Sequence, residues 1–182
     1  SDNRRDCFVL LAALFGVIRE LLMFIAEYGG QRGLVVFQDL YLFYPPLEHT
    51  LTMFSYIAIS FAFMWYSLVN SRFGKIYLWV CTLVSISIYL FTAPAWARIV
   101  EQNPEMPFGL FYGDMVFRVA ASLMLTVTLV ALFRARQQGK HVSLWLLAGI
   151  GCFFLDEFLM IFNLLGEERH VAIFAPVRHN LH

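Results

Sequence analysis

The stretch CFVLLAALFGVIRELLMFIAE, from Cys7 to Glu27, is as long as a helix must be to cross the hydrocarbon of a bilayer, roughly 20 apolar residues. Four more stretches of the same kind follow: Leu47 to Asn70, Lys75 to Arg98, Tyr112 to Arg134, and His141 to Leu165, each bounded by Gly, Pro or charged residues. In hydrocarbon no water is present to bond a bare N–H or C=O, so each run must satisfy its own backbone as a helix. The sequence therefore predicts an all-α fold, a polytopic integral membrane helical bundle with five transmembrane helices at about 7–27, 47–70, 75–98, 112–134 and 141–165. Composition agrees, with 60% apolar and 14% charged residues, against about 45–50% and about 25% in soluble domains. No Ser/Gly/Pro linker, charge block or internal repeat divides the chain, so 1–182 is expected to be a single transmembrane domain.

The first run has the look of a secretory signal, but Arg19 and Glu20 interrupt it, no small-x-small cleavage site follows, and it exceeds the usual signal core. A retained span is expected. Cationic loop residues then set the orientation. With the N-terminus cytoplasmic, Arg4, Arg5, Arg72, Lys75, Arg134, Arg136 and Lys140 lie inside, whereas Arg32, Arg98, Arg169 and Arg178 lie outside. The expected topology is N-terminus cytoplasmic and C-terminus outside, multi-pass in a cytoplasmic (inner) membrane of bacterial type. Residues 31–45, too short to cross, suit a segment lying in the outer interface. Pro45 and Pro46 suit the first turn of span two. Residues 166–182 form an outer tail. Trp79 and Trp96, near opposite ends of span three, fit the two interfaces. Cys7, Cys81 and Cys152 lack any CxxC spacing and read as small buried hydrophobes.

Charges inside the spans carry the functional question. FFLDEFLMIF, residues 153 to 162, buries two adjacent acids in an apolar run. Counted along the helix, Arg19 and Glu20 lie about 3 to 5 Å outward of the middle of span one, and Asp156 and Glu157 about 4 to 5 Å outward in span five. Arg118 lies some 8 Å outward in span four, one turn after Asp114, where an i,i+4 pair forms. An unpaired ion near the bilayer centre costs roughly 2.5 to 3.5 kcal/mol on insertion scales, so pairing is expected. Spans one and five are expected to pack together, Arg19 meeting Asp156 or Glu157, with Arg118 entering the same interior. The stripe Gly149, Cys152, Asp156 and Asn163 has the small and polar character of a face turned to other helices. Glu157 sits among Phe153, Phe154 and Ile161. The inner half offers Ser85, Ser87, Thr126, Thr128 and Ser143 but no ionisable group leading to the cytoplasm. That pattern reads as a polar cavity opening outward, lined by Arg19, Glu20, Arg118, Asp114, Asp156 and Glu157, and as a poor proton or ion conduit.

At the outer rim, Glu48, His49, His170, His179 and His182 supply the imidazole and carboxylate groups that bind divalent transition metals, with Asp114 beside them. A bis-His haem within the chain is disfavoured, because His49 and His141 lie at opposite membrane faces. Thirteen Lys+Arg balance thirteen Asp+Glu and no basic stripe carries interleaved aromatics, so no nucleic acid partner is expected. GxGxxG, Walker A, GxSxG and HExxH motifs are absent. The function these features favour is a non-catalytic polytopic membrane subunit or ligand-binding module. Its partners are the lipid bilayer and other membrane proteins or a hydrophobic small molecule such as a quinone or pigment, which fits an accessory subunit of an energy-transducing complex. The alternatives are an outward-facing metal-dependent membrane enzyme of hydrolase type, with Asp156 or Glu157 as acid/base, and a membrane sensor input domain.

Overall fold

The computed structural model describes residues 2–31, 42–67, 71–104 and 107–167. Five long helices account for most of them: α1 (Asp2–Gln31), α2 (Tyr44–Ser67), α3 (Ser71–Gln102), α4 (Tyr112–Gln137) and α5 (Leu144–Glu167), with a single 3-10 turn at Phe108–Leu110 before α4. Among the described residues there is no strand. Of the expected interfacial segment 31–45 and outer tail 166–182, residues 32–41 and 168–182 lie outside the described residues, while Gln31, Tyr44, Pro45, Gly166 and Glu167 belong to helices.

Helix ends follow local chemistry. Pro45 and Pro46 occupy the first turn of α2, where an N–H would have no intrahelical acceptor, and the first bond there is Leu47 N–H to Phe43 C=O at 3.2 Å. At the end of α4, Gly139 takes φ 79°. That lets its N–H reach Arg136 C=O at 3.0 Å and the Lys140 N–H reach Ala135 C=O at 3.1 Å, the two bonds of a Schellman stop. The start of α5 lies three residues later than expected, because Ser143 Oγ accepts the Trp145 N–H at 3.2 Å and so caps the helix.

Four segments are long and apolar enough to cross a membrane: Arg5–Ala26, Arg72–Gln102, Tyr112–Gln137 and Leu144–Leu165. Helix α2 is not among these four. Its length, about 36 Å at 1.5 Å per residue, equals that of α5. Pro45, Pro46, Glu48, His49 and its Thr, Ser and Tyr residues lower its hydropathy, and its position accommodates them. It packs against α1, α3 and α4, so Thr50, Tyr56 and Ser60 are buried in protein; Thr50 donates to Pro46 C=O within α2 and Tyr56 to Glu157 of α5.

The chain order of contacts fixes the arrangement. Helix α1 lies on α2, α2 on α3 and α4, and α4 on α5. Spans one and five are therefore not the packing pair that the sequence suggested; α2 stands where that contact was expected. The α1/α2 register is antiparallel, with Phe8 against Phe61 (4.5 Å between ring centroids) and Phe15 against Phe54 (5.5 Å). Beside these pairs Ala12 and Gly16, four residues apart, let the backbones approach, and Ser55 Oγ donates to the Ala12 carbonyl. Tyr77 of α3 hydrogen-bonds Met124 C=O at 3.3 Å and approaches Thr128 Oγ1 at 3.1 Å on α4. The core is formed by Met53, Ile57 and Met64 of α2, Phe117, Leu125 and Leu132 of α4, and Ile150 of α5.

Two assignments change. Trp79 is exposed, as an interfacial ring should be, but Trp96 is fully buried in a second cluster with Val100 and Phe111. Only Cys81 is buried; Cys7 and Cys152 lie on the outside of the bundle.

The α1/α2 contact is testable at Gly16, where an added Cβ would sit 3.9 Å from Ser55 Oγ. Gly16→Ala is expected to leave thermal stability in detergent unchanged, whereas Gly16→Leu should lower it by about 1–3 kcal/mol, the usual cost of overpacking. Equal stability of the two variants would show that the helices do not meet at this point.

Candidate functional site

One connected set of polar side chains crosses the bundle near the end that carries Phe108. Arg118, on α4, is its centre. Its Nε lies 2.9 Å from Asp114 Oδ1, one turn earlier on the same helix. Its Nη1 donates to Glu157 Oε2 of α5 at 3.2 Å. The other Glu157 oxygen accepts the Tyr56 hydroxyl of α2 at 3.0 Å. Asp114 is also met from α2, by His49 Nε2 at 2.8 Å from Oδ1. Asp114 and Glu157 retain only 4% and 8% of their side-chain exposure. Such burial is tolerated only when each ion has a counter-charge or donor within reach.

A second ion pair extends the set to α1. Arg19 donates to Glu48 Oε1 from Nη2 at 3.0 Å and from Nε at 3.2 Å. Its Nη1 also lies 3.3 Å from the exposed Glu20. Tyr56 follows Glu48 by two turns of α2, so that helix carries both the contact to Arg19 and the contact to Glu157.

His49 deserves a donor and acceptor count. Its Nδ1 lies 3.0 Å from Pro45 C=O, which can only accept, and its Nε2 faces the Asp114 carboxyl. Both contacts are hydrogen bonds only when the ring, or Asp114 in its place, holds an extra proton. Both nitrogens being engaged, His49 in this packing has no lone pair to offer a metal.

Aromatic rings close the set from the connection between α3 and α4. Phe108 lies 5.1 Å from the His49 ring and Phe117 5.4 Å from it, centroid to centroid. Trp96 meets Phe108 edge-on at 4.9 Å and Phe111 at 5.5 Å. Among the described residues, these rings therefore cover the His49 side of the set. Gly113 makes this roof possible, because a Cβ there would overlap the folded-back Phe111 ring.

The candidate residues from the sequence thus divide. Asp114, Arg118 and Glu157 come together as expected, and Arg118 enters the interior through both carboxylates. Arg19 does not reach α5; its partner is Glu48, because α2 lies between. Asp156 is exposed on the outside of α5 and Glu20 is exposed on α1, so neither lines an interior. The reason is angular: adjacent helical residues point about 100° apart, and Glu157 takes the inward direction. Glu48 and His49, read as rim ligands, are interior partners. Among the described residues no three His, Cys, Asp or Glu side chains gather as a metal site. His170, His179 and His182 lie outside the described residues. Tyr56 was missed altogether. The available signal was its place one turn after Thr52 and two after Glu48 and His49, on the polar side of α2.

Comparison with protein-family models, with curated proteins and with solved structures finds no match to this chain.

Two variants probe the site. Arg19→Glu is expected to reduce accumulation several-fold, the consequence of a stability loss of about 1–2 kcal/mol. Glu48→Arg in the same chain should restore it, whereas Asp156→Arg should not. Rescue by the second and not the first would put α1 against α5. Gly113→Ala should dislodge Phe111 from Trp96. In a chain with Trp96 as its sole tryptophan, the expected readout is a red-shifted emission quenched more strongly by acrylamide; an unchanged spectrum would mean that the roof does not depend on Gly113.

Proposed function

We propose that the chain is a non-catalytic polytopic membrane subunit that works by assembling with other membrane helices. One contrast supports this reading. Each buried carboxylate inside the bundle faces a cation or a donor, while Asp156 is left exposed on α5 with no salt-bridge or hydrogen-bond partner among the described residues. A set in which every buried ion is matched has no charge free for a substrate, and it suits a register lock between helices. An ionised group on the outside of a membrane bundle, by contrast, requires something beyond this bundle.

In this reading α2 is a fifth span. Its polar groups are tolerated because α1, α3 and α4 surround it. Cationic side chains at the α2/α3 and α4/α5 connections put those ends in the cytoplasm, leaving the N-terminus inside and the Phe108 roof outside. The membrane is then a cytoplasmic one of bacterial type. Phe108 covers the His49 ring, which makes ligand binding at the His49–Asp114 pair secondary to assembly.

Both parts are open to test. Cysteine introduced at Gln102 should react with an impermeant maleimide in intact cells and cysteine at Gln138 should not, in a background with Cys7 and Cys152 replaced by Ser; the reverse pattern would invert the topology. Extraction from native membranes in mild detergent should yield the 21.0 kDa chain in a larger particle with other membrane proteins at fixed stoichiometry. A free chain under several mild detergents would contradict the subunit reading.

A further inference from the structure

We propose that the outer face of α5 around Asp156 is the docking site for a partner transmembrane helix that carries a basic residue, Arg or Lys, at the same depth. The inference deepens the subunit reading and rests on it.

Asp156 lies near the middle of α5, about 18 Å from Leu144 and about 16 Å from Glu167 along the axis. Its side chain is exposed and has no salt-bridge or hydrogen-bond partner among the described residues. Aspartate has one methylene between Cα and carboxylate, so it cannot snorkel to either headgroup region as Lys and Arg do. Lipid headgroups are thereby removed as the counter-charge. Ions facing hydrocarbon are rare and are paired, commonly with an opposite charge on another helix.

The surface around the carboxylate admits a helix closely. Gly149 and Cys152 lie seven and four residues before Asp156 on the same stripe, and both are exposed. A Cβ built at Gly149 or Gly151 meets nothing within 4 Å. Small residues of this kind let a second backbone approach, shortening the reach required of its polar side chain. The two observations are independent, one of charge and one of shape, and they coincide on a single face. They also choose the occupant. A second copy related by a two-fold axis through this face would oppose Asp156 with Asp156, like against like, whereas a helix bearing Arg or Lys supplies the missing sign and donors.

The test uses the purified full chain in phosphatidylcholine vesicles with leucine-rich transmembrane peptides about 20 residues long. Each peptide lacks tryptophan and carries a dansyl acceptor, the chain's four tryptophans being donors. A peptide with one central Arg is expected to associate about tenfold more tightly than an all-leucine peptide, the scale of a polar contact between helices in lipid. Asp156→Asn should erase that difference, and Asp156→Arg should transfer the preference to a peptide with a central Asp. Gly149→Leu should weaken association with the Arg peptide while leaving thermal stability unchanged. Equal association of the Arg and all-leucine peptides, or an Arg preference that survives Asp156→Asn, would overturn the proposal. So would efficient Cys152–Cys152 disulfide formation in the Cys7→Ser chain at low protein density, which assigns the face to a second copy. If the chain comes from native membranes in a larger particle and the peptide preference is still absent, this inference fails while the subunit reading stands.

Discussion

Arg118 holds two carboxylates from different places in the chain, Asp114 one turn away on α4 and Glu157 across on α5, and the rest of the bundle depends on that guanidinium. Three ions on two helices cannot sit deep in an apolar interior unless their geometry is held. Arg is suited to the task because it stays ionised and its planar fork presents several donors at fixed angles. Around it the bundle adds a donor from Tyr56 to Glu157 and the His49 ring against Asp114. α2, α4 and α5 are locked in register by these contacts, and α1 is tied to α2 by Arg19 and Glu48.

This arrangement explains why α2, which is not among the four segments long and apolar enough to cross a membrane, lies at the centre. Polar side chains that would be costly against lipid are stabilised when other helices supply donors and acceptors. A helix that carries Glu48, His49, Ser55 and Tyr56 is therefore driven inward. The aromatic rings add an apolar cover on one side, with Phe108 and Phe117 on His49 and Trp96 behind Phe108. In such surroundings each ionic contact is stronger than at a surface, and each unpaired member more costly.

How much could be read from the residues alone follows from which signals are one-dimensional. Helix positions were readable because apolar run length is a property of sequence. Depth was less readable: Arg19 meets Glu48 whereas Glu157 meets Tyr56, two turns apart on α2. The i,i+4 pairing of Asp114 with Arg118 needed only helical spacing. Rotation of a helix about its own axis was not readable. In water a polar stripe points outward and an apolar one inward, but in lipid both surroundings are apolar and the phase is lost. Gly149, Cys152 and Asp156 were therefore read as an inward stripe, and they lie outside. The Arg19 partner was misassigned for a related reason: Glu48 sits beside Pro45 and Pro46 at a helix start, which looked like a rim, and only the α1/α2 packing brings it to Arg19.

The claim that most needs measurement is that Arg118 and Glu157 stabilise each other inside the apolar core. The direct test is a double-mutant cycle of Arg118→Met, Glu157→Met and the two together, with unfolding free energy measured in bicelles. Each single replacement leaves a buried charge without its partner and should cost about 3–5 kcal/mol, while the double variant, in which Asp114 still lacks Arg118, should lose clearly less than the sum of the two. Additive losses in the double variant would contradict the account, because they would mean that the two groups do not sense each other.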